Sequence, residues 1–140
     1  MWINNQELRD LLRRALAGEV TKFEVDSYEQ NIRRAEEREK VRRKVKFLNR
    51  VDFYDKVWRE LNESAELLSP TDLQFRLYKR TGEQYSCSKL SKALFRMRQF
   101  DYFYYNELSE FPDLAYLKGK YDGVKEVCVK KNRVYYGIVR

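Results

Sequence analysis

Between residues 69 and 99 the sequence marks the start and stop of two short helices, which constrains the fold more than any other stretch. Ser69 is placed as an N-cap, Pro70 takes the first helical position and Asp72 the third, and Leu68 and Leu73 can staple the entry. Leu73 and Leu77 face inward, with Phe75 or Tyr78 helping, and Gly82 ends the helix. Ser86 then caps a second helix, with Tyr85 and Leu90 as its staple. Leu90, Ala93, Leu94 and Met97 form its apolar stripe, and Ser88, Lys89, Lys92, Arg96 and Gln99 fall on the other side. An ordinary, well-capped surface helix has this pattern. So does a helix that approaches a duplex, where short polar residues allow close contact and Lys or Arg reach phosphates and base edges.

Three helices are expected upstream. Leu8, Leu11, Leu12, Ala15 and Leu16 give a short amphipathic helix over 4–17, with Asn4 as cap, Ile3 and Leu8 as staple and Gly18 as left-handed stop. Its stripe needs a partner surface, on this chain or on a second copy, so the N-terminal helices are a candidate homodimer contact. A second helix is expected from Ser27, boxed with Gln30, to Leu48. Tyr28, Ile32 and Ala35 lie nearly opposite Val41, Val45 and Leu48, so this helix either bridges two bodies or breaks near its middle. Residues 33–50 hold 9 basic and 3 acidic residues, with Arg34, Arg38, Arg42 and Lys46 at i,i+4 spacing. This is either a solvated face or a basic arm in which Arg38 and Arg42 touch phosphates. A third helix over 52–67 gathers Tyr54, Val57, Trp58, Leu61, Ala65 and Leu68 on one face. Its phase predicts a break near 49–52, and Trp58 is its largest candidate for burial.

Near the C-terminus, Val127 and Val129 alternate with Glu126, Cys128 and Lys130, and Val134, Tyr136 and Ile138 alternate with Arg133, Tyr135 and Val139. Lys131–Asn132 can be the turn of a hairpin. The expected class is therefore mainly α with a small β-hairpin: a winged helix-turn-helix over 51–140, preceded by a helical, basic N-terminal extension over 1–50. Lys130, Lys131 and Arg133 fall at the wing tip, beside a nucleic-acid backbone. The run Leu77-Tyr78 … Gly82 … Ser88-Lys89-Leu90-Ser91-Lys92-Ala93-Leu94 … Tyr135-Tyr136-Gly137-Ile138 resembles the C-terminal winged-helix domain of phage- and plasmid-type primase–helicases. The resemblance covers about residues 69–140. It implies a DNA-binding module of a mobile element. The chain departs from that family in two ways: it has no G-x-x-x-x-G-K-[ST] phosphate loop, hence no ATPase motor, and it carries an extra segment, 100–123, before the hairpin.

That segment places seven aromatic and four acidic residues in 100–117. Residues 101–105 read as a strand and Pro112 as the start of a short helix. The rings can be core under a long wing, a surface for a protein partner, or a stacking platform for single strands, against which the local negative charge counts.

Composition narrows the chemistry. The chain has 140 residues, 29 basic against 22 acidic, for a formal charge of +7. Basic and acidic blocks alternate: +4 over 1–50, −4 over 51–75, +6 over 76–98, −4 over 99–117 and +5 over 118–140. There is no His and there are only two Cys, which removes Ser-His-Asp and Cys-His nucleophile pairs and Cys₄ zinc sites. Asp52 and Asp55, at i,i+3 on a helix, are explained by surface pairing as well as by metal binding, and Cys87, without a His, reads as structural. No catalytic residue, metal or cofactor is expected. No apolar run is long enough to span a membrane, and the absence of an apolar leader points to the cytoplasm, that of a host if the chain is phage-encoded. The expected function is non-catalytic binding of nucleic acid, duplex DNA first, in replication or transcription control. Ser86, Ser88, Lys89, Ser91, Lys92 and Arg96 would meet the groove. The rival is a small phage-encoded inhibitor, anti-CRISPR-like, that docks on a host protein or nucleoprotein complex.

Overall fold

The computed structural model describes residues 5–16, 18, 22–130 and 133–139, without the side chains of 5, 11, 15, 16, 22–24 and 128–130. The chain is mainly helical with one small antiparallel hairpin. In order it forms α1 (Asn5–Leu16), α2 (Lys22–Glu63), α3 (Pro70–Thr81), α4 (Cys87–Arg98), α5 (Phe100–Phe103), α6 (Tyr105–Glu110), a 3₁₀ helix (Pro112–Leu117), β1 (Val124–Lys130) and β2 (Arg133–Ile138). It divides into two compact units, Met1–Val45 and Lys46–Arg140.

In the first unit Gly18 has the left-handed φ of +72° expected after α1, while Leu8 and Leu12 are exposed. The expected cap Asn4 and staple residue Ile3 lie outside the described residues. The anticipated boundaries of the next two helices are corrected. α2 is one continuous helix of 42 residues, so Ser27 lies inside it and no break falls at 49–52. No Gly or Pro occurs between 22 and 63 to interrupt the backbone ladder. The conflict of phase is resolved by leaving Val41 and Val45 in water, at 61% and 51% exposure.

In the second unit the residues of α2 from Phe47 onward form one wall of the core. Phe47, Val51, Tyr54, Val57 and Leu61 are buried, while Trp58, expected to be the largest buried group, is only half-buried at the edge. Glu60 is buried too and forms an ion pair of 2.5 Å with Arg80, which ties α2 to α3. α3 and α4 start and stop as their sequences dictate. The Ser69 hydroxyl accepts from the Asp72 amide at 3.2 Å, the Asp72 carboxylate accepts from the Ser69 amide at 3.0 Å, and Gly82 closes α3 with φ +75°. Ser69→Ala should cost about 1 kcal/mol, read as a fall of about 4–8 °C in melting temperature. Leu73, Leu77, Leu90, Ala93, Leu94 and Met97 are all buried. Phe75 and Tyr78, expected to help inward, point to water at 67% and 50% exposure, because Leu73 and Leu77 already fill the inner face.

The hairpin pairs Val124 with Ile138 and Lys130 with Arg133, with a bulge between Glu126 and Cys128. Lys131 and Asn132, the expected turn, lie outside the described residues. Val127, expected inside, is exposed, whereas Tyr136 is buried and Val134 and Ile138 pack against the core. Leu68, between α2 and α3, adds a one-residue third strand. Its amide donates to the Tyr136 carbonyl at 2.9 Å and its carbonyl accepts from the Tyr136 amide at 2.8 Å.

Residues 101–105 form the end of α5, a turn at Tyr104 and the start of α6, not a strand. Aromatic runs favour strands in isolation, but here the buried residues are Phe100, Tyr104, Leu108 and Phe111, a helical spacing that turns Tyr102 and Tyr105 outward. The segment is thus both core and surface. Phe100, Tyr104 and Tyr121 pack with Tyr54 of α2, with edge-to-face pairs at 6.3 Å (Tyr54–Phe100), 6.2 Å (Tyr54–Tyr121) and 4.9 Å (Phe100–Tyr121). Pro112 does start a short helix, of 3₁₀ form.

Candidate nucleic-acid interface

Two helices of the second unit present matching faces to one groove of about 380 Å³. α2 contributes Lys46, Asn49, Arg50 and Phe53, and α4 contributes Lys89, Lys92, Ala93 and Arg96. Both sets have i, i+3, i+4, i+7 spacing, so each is a single helix face. Tyr54 closes the floor. Five cations line this groove and no carboxylate does. A phosphate entering it would meet attraction from both walls.

The cations are of two kinds. Lys89 and Arg96 are held by rings. The Lys89 ammonium lies 4.8 Å from the Phe53 ring and 5.1 Å from that of Tyr85, which stack on each other at 4.8 Å. The Arg96 guanidinium lies 4.9 Å from the Phe103 ring. The Tyr54 hydroxyl, then burial in the opposite sense, acts on Arg96, and the net effect keeps its charge more firmly than in water. Burial, then the bond to the Tyr104 hydroxyl, pushes the Tyr54 phenol well above its ordinary range, so the floor is neutral. Lys46, Arg50 and Lys92 have no ion pair or ring contact among the described residues, and their charge is available to a ligand. The nearest acid along the α3–α4 turn, Glu83, is engaged elsewhere. The Tyr85 hydroxyl and then Lys56, at 3.3 Å, hold its carboxyl below the usual range.

The anticipated interface residues divide among several places. Lys89, Lys92 and Arg96 meet in the groove. Ser86 is committed to capping: its hydroxyl accepts from the Lys89 amide at 3.1 Å. Ser88 is exposed on the outer line of α4. Ser91 and Arg133 line a different concavity of about 410 Å³, beside Cys87 and the first residues of α3. Lys131 and the Lys130 side chain lie outside the described residues. Arg38 and Arg42 are exposed on the part of α2 that belongs to the first unit, and Arg42 sits 3.9 Å from Glu39.

Lys46 was visible only as a member of the basic series, and Asn49, Arg50 and Phe53 escaped notice as site residues. The signal was there: Lys46 and Arg50 flank Phe47 and Val51, so they border the core-facing stripe of the helix that precedes α3. Among the described residues, no three acidic or Cys side chains come together as metal ligands, and no helix is long and apolar enough to cross a membrane. No family model, curated protein or solved structure matches this chain.

Proposed function

We propose that this protein is a non-catalytic nucleic-acid-binding accessory factor of a phage or other mobile element, acting in the host cytoplasm on duplex DNA in replication or transcription control. The observation that carries the reading is the convergence of Lys46, Arg50, Lys89, Lys92 and Arg96 on one groove without a lining carboxylate. The order of elements supports a winged helix-turn-helix as its frame: a long helix, the Leu68 bridge, two short helices, then a hairpin whose second strand receives that bridge. In that frame α4 is the recognition helix and the hairpin is the wing. The resemblance of residues 69–140 to primase–helicase winged-helix domains points the same way. Exposed Leu8 and Leu12 suit pairing of two copies through α1, which would set the spacing of two half-sites.

The test is a fluorescence-anisotropy titration with duplex DNA, single-stranded DNA and duplex RNA. Duplex DNA should bind best, and the log–log dependence of affinity on salt should have a slope of about −4 to −7, as expected when that many phosphates are neutralised. A slope near zero, or no binding to any of the three, sinks the proposal. The second outcome would favour docking on a host protein or nucleoprotein complex. The exposed Tyr102, Tyr105 and Tyr116, set among acidic residues, speak for that reading.

A further inference from the structure

We propose that the crest of α4 reads thymine, and that Phe95 is the residue that does so by packing on the base methyl group. This inference rests on the duplex reading above and adds a sequence preference to it. α4 buries Leu90, Ala93, Leu94 and Met97. The line diametrically opposite is Ser88, Lys92, Phe95 and Gln99, at i, i+4, i+7 and i+11. Three of these four are uncharged, while the cations Lys89 and Arg96 lie to one side, toward the groove. The helix therefore separates two tasks. Its groove side, Lys92 included, attracts phosphates, and its crest adds the uncharged Ser88, Phe95 and Gln99.

Phe95 is the large apolar residue of that crest, at 50% exposure. A single exposed apolar side chain is ordinary in itself. This one differs from the rings around it. Phe53, Tyr85 and Phe103 each hold a cation or another ring, whereas Phe95 has no such contact among the described residues. It stands between Lys92 and Gln99 on the face that would enter a major groove. The apolar group that a major groove offers at its base edges is the C5 methyl of thymine. A ring used for stacking on single strands would meet base faces instead and would be indifferent to that methyl.

The experiment takes the duplex that the intact protein enriches from a randomised duplex pool. Each thymine is then replaced in turn by deoxyuridine, which removes the methyl and nothing else. The parent protein should lose about three- to tenfold in affinity at one or two thymines, the scale of one buried methyl. Phe95→Ala should bind the thymine and uracil duplexes alike, and Phe95→Leu should keep part of the difference. Circular dichroism of each variant reports that α4 still forms. If the parent ignores every uracil replacement, or if Phe95→Ala still distinguishes the two, Phe95 does not read the methyl. Salt-dependent duplex binding with no enriched sequence overturns the base reading and leaves the groove reading intact. Absence of duplex binding overturns both.

Discussion

Replacing Lys46, Arg50 and Lys92 together by Ala should lower duplex affinity several-hundred-fold at about 0.1 M salt and leave the melting temperature unchanged within about 2 °C. Each lost phosphate contact costs roughly eightfold in affinity at that salt, and three compound to about 500-fold. The salt slope should flatten by about 3 in parallel. These three are the informative choices because they make no ion pair or ring contact among the described residues, so their removal leaves no buried charge and no unfilled space. Lys89 and Arg96 are poorer probes: one lies over the Phe53–Tyr85 stack and the other over Phe103, and truncating them disturbs packing as well as charge. The control is Lys56→Ala with Lys120→Ala. Both lysines lie off the groove, paired with Glu83 at 3.3 Å and Asp55 at 2.8 Å. Their loss should change affinity by no more than about twofold. Equal losses from the two sets would mean that net charge, not the groove, holds the ligand.

What the sequence disclosed depended on how local the determinant was. The two capped helices were legible because their signals act within four residues: Ser69 with Asp72, Ser86 with the Lys89 amide, and Gly82 at a left-handed turn. The hairpin was legible from alternation, although its bulge put Val127 outside. Where two signals competed, the local one misled. A change of apolar phase near residue 50 suggested a break, but a phase change ends a helix only if the residues can leave helical geometry cheaply, and 22–63 has no Gly or Pro. The aromatic run 101–105 suggested a strand by composition, whereas the spacing of the buried residues Phe100, Tyr104, Leu108 and Phe111 is helical.

The groove was half legible for a related reason. Periodicity places Lys89, Lys92 and Arg96 on one side of α4, and it places Lys46 and Arg50 on one side of α2. That these two sides face each other follows from long-range packing: Phe47 and Tyr54 pack on Phe100, and the Tyr54 hydroxyl bonds to that of Tyr104, fifty residues away in sequence. No local pattern encodes that pairing. The same packing decides which cations are prepositioned. Arg96 lies over Phe103 only because the insertion after α4 folds back, beginning with two short helices.

That folding back has a consequence in alkali. The protein should keep its helical circular dichroism to about pH 10 and then unfold within roughly two pH units. Tyr54, Tyr121 and Tyr136 all have phenols raised above the ordinary range, each chiefly by burial. The Tyr104 hydroxyl adds to the effect at Tyr54, the Asp55 carboxylate, 2.6 Å from the Tyr121 oxygen, at Tyr121, and the Glu126 charge at Tyr136. In the unfolded chain these phenols ionise near pH 10. Below that pH both states hold the protons, and the three groups impose no pH dependence. Above it the unfolded state loses protons that the folded state keeps, so stability falls as pH rises toward the folded values. Each group contributes a slope of about 1.4 kcal/mol per pH unit, and three together about 4. A domain with about 5–15 kcal/mol of stability cannot withstand that for long. The tyrosinate absorbance of Tyr54, Tyr121 and Tyr136 should therefore appear only at the unfolding transition. The buried phenols should then ionise together as the helical signal collapses. Tyr121→Phe should lessen the steepness of the stability loss by about one third, since one of the three protons no longer takes part. A single smooth titration of all tyrosines near pH 10, with circular dichroism unchanged, would show that the Tyr54–Tyr104–Tyr121 cluster is open to water and that the floor of the groove is not the neutral surface described above.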